Sequence, residues 1–534
     1  MDGGLEPQED KLHFLRHQIV TIEKLERKNG FARSWAGSTM HVLAQLSVGA
    51  SIFLILALAL AFGFECVNGF HDTANAVATV IYTNTLKPWI AVVWSGICNL
   101  IGVLTSSGAV AFGIVALLPV ELVINVGSAA GFAMVFALLL AAMIWNVGTW
   151  YLGLPASSSH SLIGSIMGVG LANALMSAGH HFGEGVNWSK AQEVAMALLL
   201  SPVIGFVASG LLLLLLKFLI RKKELYVSPE KNKPPPWYIR IVLFLTCTGV
   251  SFAHGSNDGQ KGMGLIMLIL VGVVPGTYAL KLSTDPNSLR QIVASSRAIQ
   301  TTIEQHANGA KVSSEDASSM LSAYMKSSGK LSDETFAALA QKNKEVADKL
   351  ETAQSVSSLS KDDRGNLRSD FYLISGTLAK LLKNKVVSDA SFADTATKYR
   401  SALDSVTKFI PNWVKVGVAC ALGFGTMVGW KRIVVTVGEK IGKSHLTYAQ
   451  GACAEFVAAC TIRLADVYGL PVSTTHVLSS GIAGTMAANR SGLQKATLRN
   501  ILLAWVLTLP ACMFLGGGLF AFGLFIIFRI LGMH

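Results

Sequence analysis

Two polar stretches stand out from apolar surroundings, and their residue types suit ion handling. The first is Gly69-Phe70-His71-Asp72-Thr73-Ala74-Asn75-Ala76-Val77-Ala78-Thr79. The second, Gly255-Ser256-Asn257-Asp258-Gly259-Gln260-Lys261-Gly262-Met263-Gly264, lies over it with Asp72 on Asp258 and Gly69 on Gly255, an offset of 186 residues. Ionisable groups are costly in hydrocarbon and mark a substrate or ion pathway where they occur. Asp72, Asn75, Asn257 and Asp258 offer hard oxygen ligands to a coupling ion or metal. His71 is a candidate proton relay, because imidazole titrates near neutral pH. Glu65, just upstream, is a candidate member of the same pathway.

A second duplicated pattern supplies the opposite chemistry. Gly153-Leu154-Pro155-Ala156-Ser157-Ser158-Ser159-His160 recurs as Gly469-Leu470-Pro471-Val472-Ser473-Thr474-Thr475-His476, offset by 316 residues. Proline opens a helix readily. Hydroxyls at that start lie beside unpaired backbone N–H groups and the positive end of the helix dipole. Ser157, Ser158, Ser159, Ser473, Thr474 and Thr475 are therefore expected to hold a small tetrahedral oxyanion, with Gln260 and Lys261 as further donors. A larger organic acid would want aromatic lining. His160 and His476 are read first as turn caps and second as proton relays. Arg463 and Asp466 read as a mutual pair on a helix face.

Carboxylates and an anion in one pocket repel strongly where the dielectric is low. Asp72 and Asp258 then accept the anion only together with cations: protons, sodium or a divalent metal. That requirement is symport. Lys261 falls where Asn75 stands in the first motif. A fixed ammonium there replaces one bound cation, which shifts coupling from sodium toward protons.

These motifs need membrane elements to position them. The chain has 534 residues, 51% hydrophobic and only 14% charged, against about 25% charged in soluble domains. Apolar runs at 42–63, 89–118, 130–152, 195–220, 241–253, 264–280, 414–428 and 501–531 are continuous rather than alternating, which argues for helices and against a β-barrel. The expected fold is an all-α polytopic membrane protein of two inverted-topology repeats. It has broken helices or re-entrant hairpins, about 10–12 transmembrane segments and a soluble helical insert. Repeats with discontinuous helices meeting at the midplane are a transporter architecture.

The two offsets differ by 130 residues, so the second half must hold that much extra sequence between its motifs. It does: 281–408 contains 18 Lys/Arg and 15 Asp/Glu and loses the apolar character. The expected organisation is a polar N-terminal segment 1–40, amphipathic over 12–31, then membrane repeat 1 at 41–220 and a basic linker at 221–240. Repeat 2 follows as 241–280 and 411–534, split by the insert at 281–410. The net charge of +12 clusters beside the membrane at 221–240 and 431–443. Cytoplasmic loops against anionic lipid explain that placement, and no nucleic-acid partner is expected. The seven cysteines are scattered, without metal spacing, and read as free thiols. No cleavable signal precedes the first span, which itself would direct insertion.

The motifs resemble the inorganic phosphate transporter (PiT) family. The likeness is strongest to its bacterial low-affinity type, in which Gly-Phe-His-Asp-Thr-Ala-Asn-Ala, His-Gly-Ser-Asn-Asp-Gly-Gln-Lys-Gly and Pro-Val-Ser-Thr-Thr-His stretches are similar. It covers about 40–280 and 410–530. The resemblance implies an inverted-repeat fold, phosphate symport, often a homodimer and location in the bacterial inner membrane. It further implies a co-transported proton and a neutral complex of phosphate with Mg2+ or another divalent cation, without a resident cofactor. Arsenate is expected as an analogue. Many sodium-coupled members resemble Gly-Ala-Asn-Asp-Val-Ala-Asn in both halves, and this chain departs from them at His71 and at Gly259-Gln260-Lys261. A sodium-coupled phosphate permease or a sulfate permease of the same fold is the alternative, and an anion channel a lesser one. An intramembrane hydrolase is disfavoured, because one catalytic centre does not need both motifs duplicated.

Overall fold

The computed structural model describes residues 46–534 except 119–122, 124–126, 177–182, 184, 231–232, 327–328, 388, 531 and 533–534; the side chains of 73–75 are also outside the description. The polar segment 1–40 and the Asn75 side chain thus lie outside the described residues. Residues 57–534 form one unit, and the contacts discussed below lie within it.

The stretch expected as repeat 1 comprises α1 (Val48–Tyr82), α2 (Pro88–Thr105), α3 (Ala109–Val115), α4 (Ala129–Tyr151), α5 (Ser158–Met176) and α6 (Trp188–Leu219). Repeat 2 opens with α7 (Trp237–Val273). The insert follows as α8 (Pro286–His306), α9 (Ser314–Met325), α10 (Asp333–Glu351), α11 (Lys361–Lys383) and α12 (Ala390–Thr407). Repeat 2 then resumes as α13 (Asn412–Met427), α14 (Lys431–Val435, continued by a π-turn to Lys440), α15 (Tyr448–Val467), α16 (Thr474–Ala488) and α17 (Lys495–Phe525). The insert therefore occupies the place of the short α1–α2 loop of repeat 1.

The Gly-Leu-Pro-hydroxyl motifs have a local cause that is identical in both halves. Gly153 (φ +67°) and Gly469 (φ +65°) take the left-handed conformation that ends α4 and α15. The next amides fold back, Leu154 N donating to Thr149 O and Leu470 N to Ala465 O, each at 2.9 Å. This is the glycine helix stop. Proline then starts the following segment, and Ser157 and Ser473 accept from the backbone N–H of His160 (3.2 Å) and His476 (3.1 Å), capping α5 and α16.

The Asp motifs depart from expectation. Broken helices are the sequence expectation, but α1 and α7 pass through their motifs as unbroken helices of 35 and 37 residues. A helical glycine costs only about 1 kcal/mol, and here it allows backbones to touch. A Cβ on Gly255 would collide with the Asn99 backbone of α2, and one on Gly69 with Leu422 and Thr426 of α13. Reciprocally, Gly102 of α2 faces Phe252 and Gly255, while Gly425 of α13 faces Cys66. The same four-position contact is made twice, each time between one repeat's motif helix and the second helix of the other.

The halves are interleaved throughout: α5 packs on α17, α16 on α6, and α7 and α13 on α2. Among the described residues, seven helices are long and apolar enough to span a membrane, or eight if α13 and α14, bent by 57°, count as one. The count falls below the expected ten to twelve because α16 has only 15 residues and α15 carries Glu455, Arg463 and Asp466. The insert has its own apolar core, including Ile299, Leu321, Leu339, Phe371 and Leu403. Its ends meet where Lys281 N donates to Val406 O at 2.9 Å.

Candidate functional site

The duplicated motifs converge on Asp72. Ser158 Oγ, from the first residue of α5, donates to its Oδ2 at 2.5 Å; Thr475 Oγ1, from α16, donates to its Oδ1 at 2.6 Å. One carboxylate thus joins both proline–hydroxyl helix starts. Asp258 approaches from α7 with a different partner, Lys261 Nζ at 2.7 Å from its Oδ2. Lys261 Nζ also donates to Ser158 Oγ at 3.2 Å. Asp72, Ser158, Asp258, Lys261 and Thr475 are all buried. Two carboxylates and one ammonium leave a deficit of positive charge in a region without bulk water.

His254 completes this centre and was not singled out from the sequence. Its donor atoms and those of Asp72 and Asp258 lie within 4.8 Å of one another. Asn99 Oδ1 is 2.9 Å from His254 Nδ1, which orients the ring so that Nε2 faces Asp258 Oδ2 at 3.4 Å. Such fixing of one ring nitrogen is how proteins prepare the other as a ligand. His254 Nε2 and Asp258 Oδ1 have no hydrogen-bond partner among the described residues. Buried polar atoms are normally paired, so their lack of partners fits a cation bound between them. The repeat offset could not reveal His254, whose counterpart is Asn68. The i, i+4 spacing of His254 and Asp258 on one helix could have.

The other nominated residues divide. His71 lies between Asp72 Oδ1 (3.1 Å) and Thr149 Oγ1 (3.2 Å). Thr149 donates its hydroxyl to the Trp145 and Asn146 carbonyls at 3.0 and 3.1 Å. Glu65 is fully buried against Gly262, and neither carboxylate oxygen has a hydrogen-bond partner among the described residues. Thr474 Oγ1 is likewise buried and without a partner. Ser159 donates to Val472 O at 2.8 Å, tying the first hairpin to the second. Ser157 and Ser473 serve as the helix caps described above. His160 and His476 lie 4.6 Å apart with their rings tilted by 35°, and His476 stacks on Trp505 at 4.0 Å.

Two nominated residues turn away from Asp72. Asn257 Nδ2 donates to Leu470 O at 3.2 Å, bracing α7 against the second hairpin. Gln260 Nε2 donates to Asp466 Oδ1 (2.5 Å) and Ser256 O (2.7 Å), and its Oε1 accepts from Val110 N (2.9 Å). Asp466 also accepts from Ser256 Oγ (2.6 Å) and pairs with Arg463 (2.5 Å). At the matching place in repeat 1 stands the ring pair Phe70–Trp150, 5.1 Å apart. The same inter-helix contact is polar in one half and aromatic in the other.

A family model described as the phosphate transporter family matches residues 68–516, a stretch that includes both Asp motifs and both hairpins. The chain belongs to the phosphate transporter family. Membership makes it a multi-pass membrane transporter and not an enzyme, which removes the hydrolase alternative. The low-affinity inorganic phosphate transporter PitA of Escherichia coli (strain K12) is 42% identical over 496 residues, covering 90% of this chain and 98% of its own. The low-affinity inorganic phosphate transporter PitB of the same organism is 41% identical over 501 residues, with the same coverage. A solved structure, the sodium-dependent phosphate transporter, is similar over 88% of this chain and 98% of its own, with a TM-score of 0.47 and 19% identity.

Proposed function

We propose that this protein imports inorganic phosphate across the bacterial inner membrane by proton symport, the phosphate travelling as a neutral complex with Mg2+ or another divalent cation. The observation that carries the proposal is the joint hold of Ser158 and Thr475 on Asp72. It brings two anion-binding helix starts against a carboxylate, an arrangement that accepts phosphate only with a compensating cation. The relatives' names supply phosphate as the anion. Their names also fit the short hydroxyl donors, which suit a tetrahedral oxyanion.

In this reading the Thr474 hydroxyl and the Lys261 ammonium receive the phosphate oxygens, joined by Ser158 and Thr475 once the cation replaces them on Asp72. Asp72, Asp258 and His254 hold the accompanying cation, for which two carboxylates and an imidazole are suitable ligands. Lys261 stands where repeat 1 has Asn75, and its charge replaces one mobile cation. His71 takes the coupling proton: Thr149 spends its hydroxyl hydrogen on carbonyls, so His71 Nε2–H donates to it and Nδ1 faces Asp72. Chain direction supports an inverted relation of the repeats. α1 ends at the 221–240 linker, where Asn84 Nδ2 donates to Glu230 O at 3.2 Å, and α7, its counterpart, begins there.

Proteoliposomes with independently imposed proton and sodium gradients test the proposal. Uphill phosphate uptake should follow an inward proton gradient, require Mg2+, ignore sodium and be inhibited by arsenate. Uptake driven by sodium alone would refute the proton assignment, and equal uptake in chelator would refute the metal complex.

A further inference from the structure

The insert and the membrane helices enclose a cavity of about 510 Å³ that no step above uses. Its walls come from α3, the start of α6, and α9, α11 and α12 of the insert. Seven of its lining residues are Lys or Arg and two are Asp or Glu. Both acids are already paired: Glu193 with Lys190 at 2.9 Å and Asp404 with Lys408 at 2.6 Å. Three of the bases are also committed, Lys383 to Ser189 Oγ, Lys380 to three backbone carbonyls and Arg400 Nε to Ser375 O at 3.0 Å.

Arg368 is different. It makes no hydrogen bond or ion pair with any described residue, although it lines the cavity and is partly buried. Burial pushes its guanidinium down to about 10, so it stays charged at neutral pH. A sequestered charge without a partner is expensive unless an opposite charge joins it. A guanidinium fork matches the oxygens of a phosphate group.

The cavity also lies beside the proposed pathway. Lys190 packs near Gly113 of α3, and a Cβ on Gly113 would meet Gly469 O at 2.9 Å. Gly469 opens the hairpin that carries Ser473–Thr475. The start of α3 is held by Gln260, one residue from Lys261. α6 and α7 each cross between the 221–240 linker and the insert. With the basic linker cytoplasmic, the cavity opens on the side from which imported phosphate arrives.

We infer that this cavity is an outer phosphate-binding vestibule, in which Arg368 captures inorganic phosphate before it reaches the Asp72 centre. The inference rests on the phosphate-import reading. A positive antechamber raises the local concentration of its anion and the rate of its capture, and salt weakens the effect.

Kinetics of the full chain in neutral-lipid vesicles test it, with wild type, Arg368→Met, Arg368→Lys and Asp72→Asn compared. Arg368→Met should raise KM for phosphate about fivefold, leave the maximal rate within about twofold, and flatten the rise of KM with salt. Arg368→Lys should restore most of the loss. Thermal stability of Arg368→Met should equal or exceed wild type, since an unpaired, partly buried charge has been removed. Unchanged KM, or a lower maximal rate with lower thermal stability, would overturn the vestibule and leave a structural arginine. A KM effect seen only in anionic-lipid vesicles would overturn it in favour of a lipid headgroup. Loss of accumulation in Asp72→Asn separates these outcomes from failure of the import reading itself, in which Asp72→Asn would transport normally.

Discussion

At the scale of single residues, Asp72 and Lys261 make different predictions. Asp72 accepts one hydroxyl from each hairpin. An amide cannot accept both with the same strength, and hydrogen bonds to a charged group contribute about 1.5–3 kcal/mol each. Asp72→Asn should therefore lower the rate of phosphate uptake by about a hundredfold or more while the protein still inserts, as flux assays with quantified protein would show. Lys261→Asn leaves Asp258 buried without its ammonium, a loss of about 3–5 kcal/mol if nothing replaces it. Sodium or extra Mg2+ can replace it, so uptake by this variant should become dependent on added cation. Proton-driven, sodium-independent uptake at the wild-type rate would contradict that role. The duplicated motifs made Asp72, Asp258 and Lys261 visible in the sequence. His254 escaped because its importance comes from a helical turn and from Asn99 on another helix, neither of which an internal repeat records. Gln260 misled for a related reason: its neighbour in sequence faces the site, but its own side chain points toward Asp466 on α15.

At the scale of elements, the glycines of α1 and α7 hold the halves together. A glycine such as Gly69 inside an apolar run could equally mark a helix break. The structure uses it for backbone contact, and composition does not distinguish those two uses. A methyl on Gly255 meets the backbone of Asn99, which cannot swing aside, whereas one on Gly148 meets nothing within 4 Å. Gly255→Ala should cost about 1–3 kcal/mol from overpacking and lower both thermal stability and uptake. Gly148→Ala, inside α4 with no neighbour to strike, should hold or raise thermal stability by up to about 1 kcal/mol. The proline–hydroxyl starts were legible because capping is local: Gly153, Pro155 and Ser157 each act within a few residues of their own position.

At the scale of the whole molecule, the mismatch between the two repeat offsets points to an insert at 281–410, and the structure offers a physical reason for tolerating one there. It replaces the α1–α2 loop at its equivalent place in repeat 2, has its own apolar core, and closes on itself at Lys281 and Val406. Replacing 282–405 with a short linker should leave maximal phosphate uptake within about twofold and raise KM. Loss of insertion would show instead that the insert is required for assembly. The interleaving of the halves was beyond the reach of sequence, since it depends on contacts between α5 and α17 and between α6 and α16, far apart along the chain. That interleaving brings Asp72, Asp258 and both hairpins to one point, where anion and cation must be carried together. The most direct test counts labelled phosphate and manganese in the same proteoliposomes under an inward proton gradient. The account predicts a ratio near one to one, abolished for both species by Asp72→Asn; phosphate accumulation at full rate without any metal would contradict it.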